Sequence, residues 1–154
     1  MAESPLDQKP ELRITRRYPV APEKVWRAWT EPQALARWFG PADTGRVISA
    51  ELDVREGGAY SIAFTTQDGQ SHRVGGVYQE VVPPRRLVFS WAWQSTPERV
   101  SRVTVELRAV PEGTELQFLH ERFFDQAARD GHARGWSGAF AKLDALFLAP
   151  GSRC

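Results

Sequence analysis

The fold is decided by residues 125–148, which read DQAARDGHARGWSGAFAKLDALFL. Large side chains recur there at steps of four, four, three and four residues, which is the period of an amphipathic helix. They are His132, Trp136, Phe140, Leu143 and Phe147. Glycine and alanine residues surround the tryptophan, so the helix presents a surface of uneven relief. A long helix with such a face predicts a cavity where it covers a curved sheet.

Upstream of this helix the chain alternates between short apolar segments and turn residues. Glu11 to Tyr18 predicts a first strand, and Pro22 and Pro32 each begin a short helix. Six further strands are predicted at residues 47–54, 60–64, 71–82, 86–93, 100–109 and 114–121. Their connections have hairpin length, so we expect an α+β fold whose antiparallel sheet of six or seven strands wraps around the last helix.

Two details of the predicted strands carry structural expectations. Residues 47–54 alternate so that Ile48 lies on the apolar face with Ala50, Leu52 and Val54, while Glu51 and Asp53 lie on the outer face. Residues 75–76, a pair of glycines within a strand, predict either a β-bulge or a close approach of another backbone or a ligand.

The length and composition indicate one domain. The chain has 154 residues, of which 42% are apolar, and its 6 Trp and 8 Phe can supply a core. We expect a flexible N-terminal tail at residues 1–10, a single domain at residues 11–148, and a C-terminal tail at residues 149–154.

Charge and cysteine content exclude several classes of partner. Lys and Arg total 20 against 19 for Asp and Glu, so nothing favours nucleic acid or an anionic membrane as a partner. The single cysteine, Cys154, allows neither an intrachain disulfide nor a cysteine zinc cluster. No signal peptide or membrane-spanning run is present, and we expect a soluble, cytoplasmic protein.

Six short motifs occur in an order and spacing that resemble a known family. They are WFGP at 38–41, GGAY at 57–60, GVYQEV at 76–81, PRRLVF at 84–89, GTEL at 113–116 and GW at 135–136. The chain resembles, over about residues 11–148, the activator-of-heat-shock-protein-ATPase-homologue-like branch of the START/SRPBCC superfamily. This resemblance implies a helix-grip fold of about seven strands with a cavity between sheet and helix. The superfamily includes carriers, cyclases, hydroxylase-associated domains and co-chaperone domains, so fold alone does not select the activity.

Motifs for catalysis are absent from the sequence. There is no HExxH metal pattern and no GxSxG nucleophile elbow, so we expect no metal, no cofactor and no covalent catalysis. One enzymatic alternative stays open, in which His120 transfers a proton together with Glu80 or Glu121. The protein is otherwise expected not to be an enzyme.

His120 shares a strand face with Leu116 and Phe118, which allows two interpretations. It is either a core histidine paired with one neighbour or a polar anchor for a ligand. Under the second interpretation, replacement by alanine would leave folding nearly intact.

We therefore predict a binding module for a small, largely apolar ligand that carries one polar group. The predicted ligand-binding residues are Trp38, Phe39, Trp91, Trp93, Phe118, His120, Trp136 and Phe140. The alternative from the resemblance is a chaperone-modulating interaction domain with a chaperone partner and a role in stress response. Short edge strands also lead us to expect a homodimer.

Overall fold

The computed structural model describes residues 10–40 and 44–148. The tails expected at 1–10 and 149–154, including Cys154, lie outside this part of the chain except for Pro10. The elements, in chain order, are β1 Leu12–Tyr18, α1 Pro22–Thr30, α2 Pro32–Leu35, β2 Thr44–Leu52, β3 Ala59–Thr66, β4 Ser71–Val82, β5 Arg86–Trp93, β6 Ser101–Val110, β7 Gly113–Glu121 and α3 Gln126–Leu148.

The strands form one sheet of seven in the order β1-β7-β6-β5-β4-β3-β2, and every neighbouring pair is antiparallel. This confirms the predicted α+β helix-grip architecture. No helix within the described ranges is long and apolar enough to cross a membrane.

Helix α3 crosses the inner face of the sheet from β5 to β1. Near its start, His132 contacts the tryptophans of β5. Near its end, Asp144 accepts a hydrogen bond of 2.7 Å from the buried hydroxyl of Tyr18 in β1, and Phe147 packs on the Tyr18 ring. Burial and the neighbouring Asp144 raise the pKa of Tyr18 well above its ordinary value. The predicted face of α3 is thus the buried one.

The first turn of α3 is capped by an aspartate. The Oδ1 atom of Asp125 accepts a hydrogen bond of 2.8 Å from the backbone N–H of Ala128, which pairs one of the free N–H groups of the first turn. The helix accordingly begins at Gln126, one residue after the predicted start.

One predicted inward side chain in β2 is exposed. Ile48 has 49% of its surface exposed, because the pairing of β2 with β3 shifts register between Val47 and Ser49. A β-bulge reverses the alternation of faces at that point. Val47 packs against the core in its place, together with Ala50 and Leu52.

The glycine pair of β4 marks a close backbone approach. A Cβ atom at Gly75 would lie 2.7 Å from the carbonyl oxygen of Tyr60, and one at Gly76 would overlap the carbonyl oxygen of Ser90. The bulge between β4 and β5 instead lies between Tyr78 and Glu80. Of the two expectations for this pair, close approach is the one that the structure shows.

Candidate functional site

A cavity of about 520 Å³ lies between the first half of α3 and the strands β3, β4 and β5. Its volume is within the range of small-molecule sites. Its lining consists of Phe39, Gly40, Phe64, Thr66, His72, Trp91, Trp93, Gly131, His132, Arg134, Gly135, Trp136 and Ala139.

His132 holds the two tryptophans of β5 in place. Its Nε2 atom accepts hydrogen bonds from the indole N–H of Trp93, at 2.9 Å, and of Trp91, at 3.3 Å. Its Nδ1 atom lies 2.7 Å from the backbone oxygen of Ala128, one turn earlier in α3. Nε2 must be unprotonated to accept from two donors, so the ring carries its proton on Nδ1. Burial lowers the pKa of His132, although the bond to Ala128 opposes that effect.

His120 lies beneath the cavity and is fully buried. Its Nδ1 atom accepts a hydrogen bond of 3.0 Å from the indole N–H of Trp136. Its Nε2 atom therefore carries the proton and donates to the hydroxyl of Ser101 at 2.7 Å. The Ser101 hydroxyl in turn donates to the backbone oxygen of Trp91 at 3.3 Å. Burial, and secondarily the nearby His132, hold the pKa of His120 well below its ordinary value.

This hydrogen-bond pattern does not make His120 a catalytic base. A base that activated Ser101 would have to accept the hydroxyl proton, but Nε2 is the donor in this pair because Nδ1 is occupied by Trp136. Both groups are also buried away from the cavity surface.

The acids considered as partners of His120 lie on the other side of the sheet. Glu121 forms an ion pair of 2.7 Å with Arg102, and Glu80 forms one of 3.0 Å with Arg86. Glu121 follows His120 directly and therefore points to the opposite face. The proposed proton-transfer pairs are not brought together. Within residues 10–40 and 44–148, no group of His, Cys, Asp and Glu side chains is placed to hold a metal ion.

The structure divides the eight predicted ligand-binding residues into two groups. Phe39, Trp91, Trp93 and Trp136 line the cavity. Trp38, Phe118, His120 and Phe140 lie in the core instead, each with 2% or less of its surface exposed.

Packing explains why these four residues do not reach the cavity. The indole N–H of Trp38 donates a hydrogen bond of 2.9 Å to the backbone oxygen of Ala28, which turns the ring into the core. Phe118 packs against Trp136 and Phe140, with ring centroids 4.6 and 5.3 Å apart. These residues therefore lie in the core and not in the expected cavity lining, and the hydrogen bonds of His120 are those of the core-histidine interpretation.

Several lining residues were not predicted from the sequence. Phe64 lies two residues after Ile62 on the same inner face of β3, so the alternation of apolar residues in this strand could have predicted it. Thr66, His72 and Arg134 had no comparable signal, because each stands on a different element and becomes a neighbour of the others only after folding.

A much smaller chamber of about 20 Å³ adjoins the cavity behind Phe39, Trp91 and Trp136. Trp29 lines this chamber, and its indole nitrogen is buried without a hydrogen-bond partner among the described residues.

Solved structures share this architecture. A protein from Chromobacterium violaceum is 31% identical with a TM-score of 0.78, and the match covers 90% of this chain and 97% of that one. An AHSA1 protein from Silicibacter pomeroyi is 27% identical with a TM-score of 0.79, covering 88% and 96%. CalU16 from Micromonospora echinospora is 28% identical with a TM-score of 0.66, covering 94% and 80%.

No curated protein matches the chain significantly. The family described as Activator of Hsp90 ATPase homolog 1-like protein matches residues 19–147, which is most of the chain and nearly all of the described fold. The chain therefore belongs to this family, the AHSA-type branch of the START/SRPBCC superfamily.

Proposed function

We propose that the protein binds a small, largely apolar ligand in the cavity beneath α3. The observation that carries this proposal is that the indole N–H groups of the three tryptophans in the lining are all paired within the protein. Each indole N–H already donates to a histidine nitrogen, those of Trp91 and Trp93 to His132 and that of Trp136 to His120. The rings therefore offer apolar surface without a polar atom that a ligand would have to pair.

The space itself results from small residues on α3. Gly131, Gly135 and Ala139 recur every four residues and all line the cavity. A Cβ atom built at Gly135 meets nothing within 4 Å. Larger side chains along this stripe would occupy volume that is now open. Burial of apolar ligand surface there is favourable by about 25 cal/mol per Å².

The test is to fill the cavity from the helix side. Gly135→Leu places a branched side chain in open space, and leucine in a helix interior is more favourable than glycine by roughly 0.5–1 kcal/mol, so we expect the variant to fold. Ala145→Leu is the matched control, because Ala145 lies on the exposed face of the same helix.

Binding is measured with the neutral fluorescent probe N-phenyl-1-naphthylamine and by calorimetry. We expect the wild type and Ala145→Leu to bind the probe alike and Gly135→Leu to bind it at least about tenfold more weakly, a loss of about 1.4 kcal/mol. Absence of binding by the wild type, or equal binding by Gly135→Leu, would contradict the proposal.

Family membership favours a second candidate, a chaperone-modulating interaction. Its test is whether the purified protein changes the ATPase rate of an Hsp90 chaperone, with Gly135→Leu as a variant that separates a cavity-dependent effect from a surface-dependent one. The homodimer stays a prediction, which sedimentation velocity tests. The cytoplasmic location also stays a prediction, which cell fractionation tests.

A further inference from the structure

We propose, as an extension that rests on the ligand-binding function above, that the ligand is an aryl carboxylate. Its ring system occupies the tryptophan-lined cavity, and its carboxylate pairs with the guanidinium of Arg134 at the rim. Arg134 is then the residue that selects anionic over neutral ligands.

The charges around the cavity favour an anion. Arg134 is the one Arg or Lys side chain in the described lining, and no carboxylate belongs to that lining. Two acids lie close in sequence to lining residues, Asp68 near Thr66 and Asp130 beside Gly131, and both are already paired with other groups. Asp68 accepts hydrogen bonds from the Thr66 hydroxyl and the Gln70 backbone, which hold its pKa below the ordinary value.

Asp130, one turn before Arg134 in α3, is turned toward other residues. Its Oδ1 atom accepts a hydrogen bond of 2.9 Å from the Gln126 amide and lies 3.4 Å from the Arg129 guanidinium. Arg134 forms no ion pair or hydrogen bond with any residue in the described part of the chain.

The Arg134 side chain folds back over the glycine one turn earlier in α3. Its Nη2 atom lies 3.8 Å from the point where a Cβ of Gly131 would stand, so the guanidinium rests over that glycine beside the cavity. A planar guanidinium with free N–H groups can bind a carboxylate through two parallel hydrogen bonds.

The walls favour an aromatic body over an alkyl chain. Trp91 and Trp93 meet edge to face, with centroids 5.6 Å apart and an interplanar angle of 88°. This corner presents a ring face and a ring edge to the same space, and aromatic ligands can use both in offset and T-shaped contacts.

The experiment compares two probes of nearly equal shape, 2-naphthylacetate and its neutral amide, 2-naphthylacetamide. Both are titrated by calorimetry into the wild type, Arg134→Gln and Arg134→Lys. Arg85→Gln is the matched control, because Arg85 lies in the β4–β5 turn at the opposite end of these strands and does not line the cavity.

We expect the wild type to bind the acid about three- to fivefold more tightly than the amide at low salt, the size expected for a partly exposed charge pair. Arg134→Gln should abolish this preference by weakening acid binding more than amide binding, and Arg134→Lys should restore part of it. The preference should also shrink when salt is raised to about 0.5 M, because salt screens exposed charges.

The outcomes separate the two proposals. If the wild type binds the acid and the amide with equal affinity, or if Arg134→Gln still prefers the acid, the assignment of Arg134 is wrong and the ligand-binding function stands. If neither probe binds the wild type, the aryl-carboxylate proposal is overturned, and the neutral-probe experiment with Gly135→Leu decides separately on the function.

Discussion

Trp136 and His120 are joined by a buried hydrogen bond of 3.0 Å from the indole N–H to Nδ1. This bond connects α3 to β7 and continues through Ser101 to the backbone of Trp91, so it also includes β6 and β5. A buried network of this kind is stabilising only while every member keeps its partner. We therefore regard His120 as a structural residue that supports the wall of the cavity.

We expect His120→Ala to destabilise the fold by about 3 kcal/mol. The substitution opens a space in the core and removes the acceptor of the Trp136 indole N–H, and each effect has a typical magnitude of one to several kcal/mol. This expectation replaces the nearly intact folding predicted from sequence. Urea denaturation measures it. His72→Ala, at a half-buried histidine on the rim, is the control and should lose about 1 kcal/mol. Equal losses in the two variants would contradict the structural role.

The buried His120 and the half-buried His132 should make the protein less stable in mild acid. Burial lowers the pKa of both His120 and His132 below the ordinary value of 6.5. Below about pH 6.5 the unfolded chain binds protons that the native state does not bind, so the free energy of unfolding falls as the pH falls. One such group contributes a slope of at most about 1.4 kcal/mol per pH unit, and His120, whose pKa is lowered more, contributes the larger part.

Urea denaturation between about pH 5 and pH 7.5 measures this slope, in a range above the titration of ordinary carboxylates. His132→Asn removes the group with the smaller shift in pKa, so we expect it to lower the slope but leave the larger contribution of His120 in place. Equal stability of the wild type at the two ends of this range would show that neither histidine is held neutral by the fold.

Trp29 and Trp38 provide a comparison of a free and a bonded indole N–H. Both rings are buried and lie 4.6 Å apart, but only the N–H of Trp38 has an acceptor in the described structure, the backbone oxygen of Ala28. Replacement of either by phenylalanine removes a similar ring area, so we expect Trp38→Phe to lose about 1 kcal/mol more stability than Trp29→Phe. Thermal and urea unfolding of both variants test this order, and the reverse order would refute it.

Two glycine-to-alanine substitutions should have opposite effects. A Cβ at Gly76 would overlap the carbonyl oxygen of Ser90 on the adjacent strand, so we expect Gly76→Ala to lose about 3 kcal/mol through strain in the β4–β5 pair. Gly135→Ala meets nothing within 4 Å in the interior of α3, and it should gain up to about 1 kcal/mol from helix propensity. Urea denaturation measures both, and a stabilised Gly76→Ala variant would show that the strands separate there without loss.

The sequence by itself determined the elements and the faces that they bury. Steps of three and four residues in α3, and alternation in β5 and β7, depend on backbone geometry that is the same in any protein. The connections between the strands have hairpin length, which is enough to join antiparallel strands but too short for the crossover that parallel strands need. The exception at Ile48 arose because a bulge in the β2–β3 pairing is a property of two strands together.

Only the tertiary structure decided which inward residues reach the cavity. The alternation of the strands predicts that His120 and Trp91 point inward. It does not predict whether each ring reaches the cavity, because that depends on which side chains pack over it. Phe123 covers His120, with ring centroids 4.2 Å apart, whereas Gly135 leaves open space on the cavity side of α3. The lining joins residues from β3, β4, β5 and α3 that are far apart in the chain, and no local pattern encodes their contact. The sizes of the side chains where α3 packs on the sheet therefore decide which inward residues are covered and which line the cavity.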